Sequence, residues 1–135
     1  MDASAEISRL IEESRDLEHR GEIAASIQCA AQACSLAQSH ADAEGEACAL
    51  NALAYAHVRL AHYPQLRQFC QQILALAGPE SPSRVDALLN LGICAGETDD
   101  LAALELYTQQ AVDLSRQIGY DRALIRGLHT LSCLV

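Results

Sequence analysis

Two stretches of the chain, LNALAYAHVRLAHYPQLRQFCQQILAL at 50–76 and LLNLGICAGETDDLAALELYTQQAVDL at 88–114, align without a gap. Leu50 falls on Leu88, Leu53 on Leu91, Ala54 on Gly92, Tyr63 on Leu101, Leu66 on Leu104, Phe69 on Tyr107, Ile73 on Ala111 and Leu76 on Leu114. The same frame occurs upstream in Leu10, Ser14, Leu17, Ile23, Ser26, Ala33 and Leu36, and begins again at Leu128, Leu131 and Ser132. The interval is 40 residues from Ala33 to Ile73 and 38 from Ile73 to Ala111. A period of this length in helical segments is the signature of a stacked array, in which each helix pair buries its apolar side against the next.

Gly92 and Asn90 sit in the middle of one such segment, although a glycine in a helix interior costs about 1 kcal/mol relative to alanine. Ser14, Ala54, Gly92 and Ser132 share one repeat position. Small residues there let the second helix of a pair lie close to the first, and that close packing offsets the helix penalty.

Punctuation divides the chain into seven predicted helices, at about 3–19, 22–39, 43–61, 64–77, 82–97, 100–118 and 122–134. Gly21, Gly78 and Gly119 fit C-terminal stops, Ser81 before Pro82 fits an N-cap, and Asp42, Asp99 and Asp121 can each cap a start. Pro64 lies at a helix start, where its missing N–H is harmless. No segment alternates as a strand would.

Half of the residues are hydrophobic, yet the aromatics are four Tyr and one Phe, so Ala and Leu carry the apolar surface of closely packed helices. No apolar run approaches the roughly 20 residues that span a bilayer, and the N-terminus lacks the regions of a secretory signal. The chain therefore reads as soluble and cytoplasmic, with no membrane partner. Its six cysteines lie within helical patterns and form no CxxC pair, which points to reduced thiols used as small core residues. The net charge is −9, and residues 1–46 alone hold ten acids against three arginines. Such a surface repels phosphate and argues against direct nucleic-acid binding.

The residues that carry the frame resemble the tetratricopeptide family. Its pattern of a large apolar residue, Leu-Gly, an aromatic and two alanines is met by Leu88, Leu91, Gly92, Leu101, Leu104 and Ala111, and more loosely by Leu50, Leu53, Ala54, Tyr63, Leu66 and Ile73. The repeats are longer than the family's usual 34 residues and lack its closing proline, and so are similar to those of bacterial signalling proteins such as MalT-like LuxR-type regulators and cyclases linked to such repeats. The resemblance implies an all-α, right-handed superhelical solenoid with repeats at about 3–40, 42–78 and 81–119 and a half repeat at 121–135. It further implies a non-catalytic protein- or peptide-binding scaffold, the sensory or interaction segment of a larger regulator. The last segment, GLHTLSCLV, has the pattern of a first helix without its second; the expectation is that the natural chain continues or another molecule covers that edge.

The resemblance also places the concave side on the first helix of each pair. Carried over by position, the inward-facing residues are Arg15, Glu18 and His19; Asn51, Tyr55, Val58 and Arg59; Asp86, Leu89, Ile93 and Glu97; and Arg126 and His129. Arg59 and Arg126, with Asn51 and Tyr55, form a candidate clamp for a peptide backbone or a carboxylate, because arginine offers forked donors and asparagine pairs with main chain.

Motifs for catalysis are missing: the chain contains no HExxH, GxxxxGK[ST], GxSxG or GxGxxG. No cofactor is expected. His129 and Cys133 share a helix face and could hold a metal, but zinc wants four ligands and no second pair has suitable spacing; His57 and His62 look poorly placed to share a face. Cys34 and Cys48 have no basic neighbour in sequence to activate a thiol. The pair Asp99 and Asp100 reads as a helix cap. Two alternatives to a peptide scaffold are a homo-oligomer built through the incomplete C-terminal repeat and a solenoid that senses a small molecule.

Overall fold

In the computed structural model, which describes residues 2–134, seven α-helices follow one another: α1 Ala3–His19, α2 Ile23–Ser39, α3 Ala43–Arg59, α4 Tyr63–Leu76, α5 Pro82–Glu97, α6 Leu101–Ile118 and α7 Asp121–Cys133. The described residues contain no strand, and none of these helices is long and apolar enough to cross a membrane.

The connections repeat as closely as the helices do. Gly21, Ala41, Ala61, Asp99 and Gly119 all adopt left-handed backbone, with φ of 81°, 52°, 56°, 58° and 75°. Each directly precedes the residue at the cap position of the next helix. That next residue reaches back with its N–H to a carbonyl five positions earlier, as Asp42 does to Ala37 and Asp100 to Ala95, both at 2.9 Å. This bond closes the preceding helix and turns the chain through one left-handed residue. This turn recurs at five of the six helix connections. The exception is the link between α4 and α5, where Ala77 is extended and Arg84 donates to the carbonyls of Leu74, Ala77 and Gly78. Gly78 is thus not the left-handed stop its sequence position suggests; an arginine side chain satisfies those carbonyls instead.

The caps correct two further sequence expectations. Asp2, Asp42, Ser81 and Asp100 accept from main-chain N–H groups of the first turn. Asp99 does not cap α6, because it is itself the left-handed residue; Asp121 is the first residue of α7, and Tyr120 stands at the cap position.

Each helix packs on its neighbours in sequence, and the odd-numbered helices also pack in series, α1 on α3, α3 on α5 and α5 on α7. Helices α2, α4 and α6 bring their Cα atoms within 8 Å only of the helices that flank them, and no described residues of α1 and α7 come that close to each other. Alanine makes this spacing possible: Ala30, Ala33, Ala37, Ala47, Ala49, Ala54 and Ala111 are buried between helices. Larger side chains, among them Leu66, Ile73, Val85 and Val112, fill the remaining space.

Gly92 lies against α6. A methyl group in its place would stand 3.2 Å from Leu104 Cδ1 and 3.2 Å from Thr108 Oγ1. The matching position in the first pair is closed by hydrogen bonds: Ser14 Oγ donates to the Ser26 carbonyl at 2.8 Å, and Ser26 Oγ donates to the Ser14 carbonyl at 2.7 Å. Ala54 is buried at the same position in α3. On α7, Ser132 is exposed.

Candidate functional site

The first helices converge on a cup of about 390 Å³. Helix α1 contributes Arg15, Glu18 and His19, α3 contributes Ala52 and Tyr55, α5 contributes Asp86, and α7 contributes Arg122, Ala123 and Arg126. The side chains at positions one helical turn apart, Arg15 and Glu18 or Arg122 and Arg126, face the same way because residues three and four apart share a helix face.

Asp86 organises the cup. It is 5% exposed, and two phenols hold its carboxylate: the Tyr55 hydroxyl donates to Oδ1 at 3.1 Å, and the Tyr120 hydroxyl donates to Oδ1 at 3.2 Å and Oδ2 at 3.0 Å. Each phenol in turn accepts from an arginine of α7, Tyr120 from Arg122 at 2.9 Å and Tyr55 from Arg126 at 3.3 Å. Arg126 also donates to Asn90 Oδ1 at 3.3 Å. The result is one chain of donors from α7 through two tyrosines to a carboxylate on α5.

Burial dominates the electrostatics of this network. It raises the Asp86 pKa above the ordinary carboxylate value, against the opposing pull of the Tyr120 and Tyr55 hydrogen bonds and of Arg126 and Arg122. Burial, with the Asp86 charge beside it, pushes the Tyr55 phenol up to about 12. Burial also raises the Tyr120 phenol, so both tyrosines are neutral donors near neutral pH.

Of the residues expected to face inward, Arg15, Glu18, His19, Tyr55, Asp86 and Arg126 line the cup. Arg59 is exposed and bonds across α3 and α1 to Glu18 Oε1 at 3.0 Å. Asn51 is buried between α3 and α5, where its amide donates to the Ser83 carbonyl at 3.1 Å. Leu89 belongs to the apolar contacts of α5 with α6 and α7, and Val58 packs on the larger core. Ile93 is half-buried, and Glu97 is exposed at the end of α5. His129 is exposed on α7, its Nε2 4.0 Å from Cys133 Sγ.

Sequence reasoning missed Arg122, Tyr120 and Ala52. Arg122 had a signal, since it precedes Arg126 by four residues on the same helix. Tyr120 had none, because its contribution depends on the turn at Gly119.

His57 and His62 do come together, with Nδ1 atoms 3.2 Å apart, because the left-handed turn at Ala61 folds the start of α4 onto the end of α3. Burial and His62 lower the His57 pKa. Among the described residues no three His, Cys, Asp or Glu side chains are grouped to hold a metal ion. The cysteines are free thiols, and burial raises the pKa of Cys29, Cys34, Cys70 and Cys94. Comparison of the chain with protein-family models, curated proteins and solved structures finds no match.

Proposed function

We propose that this chain is a non-catalytic binding module, a right-handed superhelical array of tetratricopeptide-like helix pairs that takes a protein or peptide ligand on its hollow side. The observation that carries the reading is the cup itself, which draws side chains from all four first helices. The serial packing of the odd helices, with no Cα atoms of the described residues of α1 and α7 within 8 Å of each other, supports an open array over a closed bundle. Following the resemblance in the repeat, the module serves as the sensory or interaction segment of a larger bacterial regulator. Partner capture by the wild type against an Arg15→Glu, Arg126→Glu variant tests this, with circular dichroism to confirm that the variant is folded. Loss of capture is expected; equal recovery of the same partners by both proteins would overturn the assignment of the hollow.

A second reading is favoured by α7. Leu50 and Leu88 are 4% and 8% exposed, whereas Leu128 at the same repeat position is 41% exposed and Ile125 is 69% exposed. A second copy covering this side would make a homo-oligomer. Sedimentation velocity over a wide concentration range tests it, and a particle that stays monomeric throughout removes it.

A further inference from the structure

We infer that the cup is a site for a carboxylate carried on a short apolar body, with Arg15, Arg122 and Arg126 as its anion-binding groups. The inference rests on reading the hollow as the binding surface and names the chemistry of what enters it.

The charge distribution is the first argument. The chain carries a net charge of −9, yet three guanidinium groups and two carboxylates line the cup. Both carboxylates are engaged. Glu18 is bonded to Arg59, and Asp86 is buried under two phenols. Among the described residues none of the three arginines forms an ion pair. The Arg15 guanidinium makes no hydrogen bond there, Arg122 makes one to a phenol, and Arg126 makes two at 3.3 Å to neutral oxygens. A guanidinium has five N–H donors, so most of this donor capacity is open to an incoming anion.

Preorganisation is the second. The Tyr55, Asp86 and Tyr120 network fixes Arg122 and Arg126 from below through neutral hydroxyls, which hold the side chains without neutralising them. Arg122 and Arg126 then have less side-chain freedom to lose on binding, while Arg15 is the group that orders around the anion.

Size and polarity define the rest of the ligand. Ala52 and Ala123, 2% and 3% exposed, close the floor beside the Tyr55 ring, and a volume of about 390 Å³ lies within the range of small-ligand pockets. The cup is lined by the second half of α1 and the first turns of α7, and Leu89, Ile93 and Glu97 take no part in it. It therefore suits a compact group better than a long extended segment. Three cations against two anions leave one formal positive charge. A carboxylate matches it, while a phosphate monoester of charge about −2 would set its excess charge against Asp86.

Two sources carry this chemistry, a free organic acid and the terminal residue of a peptide. The test titrates the intact protein with octanoate, octanamide and octyl phosphate, and with N-acetyl-leucyl-leucine as free acid and as amide, reading calorimetry and amide shifts at Ala52 and Ala123. At least one free acid is expected to bind about tenfold or more tighter than its amide, the gap shrinking with added salt. Binding of octanoate alone identifies a free acid as the source, and binding of the peptide acid alone identifies a peptide terminus; either supports the site. Arg15→Gln should weaken the acid about tenfold and narrow its advantage over the amide; among the described residues the Arg15 side chain makes no hydrogen bond, so the fold is kept. Equal binding of acid and amide with shifts in the cup overturns the anion site but leaves the hollow as a binding surface, and tighter binding of octyl phosphate overturns the carboxylate. If no probe shifts Ala52 or Ala123, the carboxylate site falls, while the hollow as a protein-binding surface stands or falls with the partner-capture experiment.

Discussion

The Arg126 guanidinium lies 5.8 Å from the centre of the Tyr55 ring and donates to the Tyr55 hydroxyl, although 71 residues separate the two in sequence. Helix α7 reaches α3 through this contact, across α5. It therefore links the last helix to the middle of the array by a polar bond in addition to apolar packing on its neighbour.

A double-mutant cycle measures that link. Tyr55→Phe removes a donor to Asp86 and an acceptor for Arg126, and Arg126→Gln removes the cation over the ring. Each single change is expected to lower stability in urea by about 1–2 kcal/mol, with a coupling of about 0.5–1.5 kcal/mol between them. Additive losses would show that the hydroxyl bond between them contributes nothing, since the ring remains in Tyr55→Phe.

The turns give a second expectation. Ala41 and Ala61 occupy left-handed backbone at φ 52° and 56°, where a Cβ crowds the carbonyl by roughly 1–2 kcal/mol. Ala41→Gly and Ala61→Gly remove this crowding but loosen the unfolded chain, so each is expected to raise stability by up to about 1 kcal/mol. The reverse changes, Gly21→Ala and Gly119→Ala, are expected to lower it by a similar amount. Thermal or urea unfolding of the four variants decides, and a loss of stability in both glycine variants would show that the left-handed turns are not strained.

Two glycines in helix interiors separate packing from propensity. A methyl on Gly127 would come 2.6 Å from Val112 Cγ2, a branched side chain buried in the core, whereas on Gly92 it would meet a flexible leucine end and a hydroxyl at 3.2 Å. Gly127→Ala is therefore expected to destabilise by about 1–3 kcal/mol through overpacking. Gly92→Ala is expected to stay within about 1 kcal/mol of wild type, since helix propensity gains what the tighter contact loses. The reverse order in denaturant midpoints would mean that the α5–α6 contact at Gly92 is the more rigid of the two.

The legible parts of the fold are those in which one residue acts through local geometry. Stops and caps such as Gly21, Gly119, Asp42 and Ser81 mark the helices, and Ser14, Ala54 and Gly92 mark where two helices approach. The turns were half legible: glycine announces a left-handed residue at 21 and 119, but Ala41, Ala61 and Asp99 adopt the same backbone because the surrounding helices impose it. The cup was legible wherever it depends on helix face, as with Arg15, Tyr55, Asp86 and Arg126. Asn51 and Leu89 fall on that face by repeat position, yet the packing of α3 on α5 and of α5 on α6 and α7 makes them contacts between helices. Tyr120 enters through a turn, and no periodicity of a helix reports on it.

Asp86 gives the pH-dependent test. Its folded pKa is raised above its ordinary value of 3.8, with burial as the largest cause, so in that window the folded state holds a proton that the unfolded state has lost. Stability from this group is present below 3.8 and is lost as pH rises through the folded pKa. The groups facing it, Tyr55, Tyr120, Arg122 and Arg126, do not change charge over that range. Asp86→Asn removes the titration while keeping an acceptor for the phenols, so the variant's stability relative to wild type is expected to rise with pH above about 4 and then level off. Removing the buried anion also leaves Arg122 and Arg126 facing less negative charge, and octanoate is expected to bind the variant more tightly than wild type, with a steeper dependence on salt. Parallel stability curves for the two proteins would show that the Asp86 carboxylate is solvated in the folded state, and unchanged octanoate binding would place the anion away from this end of the cup.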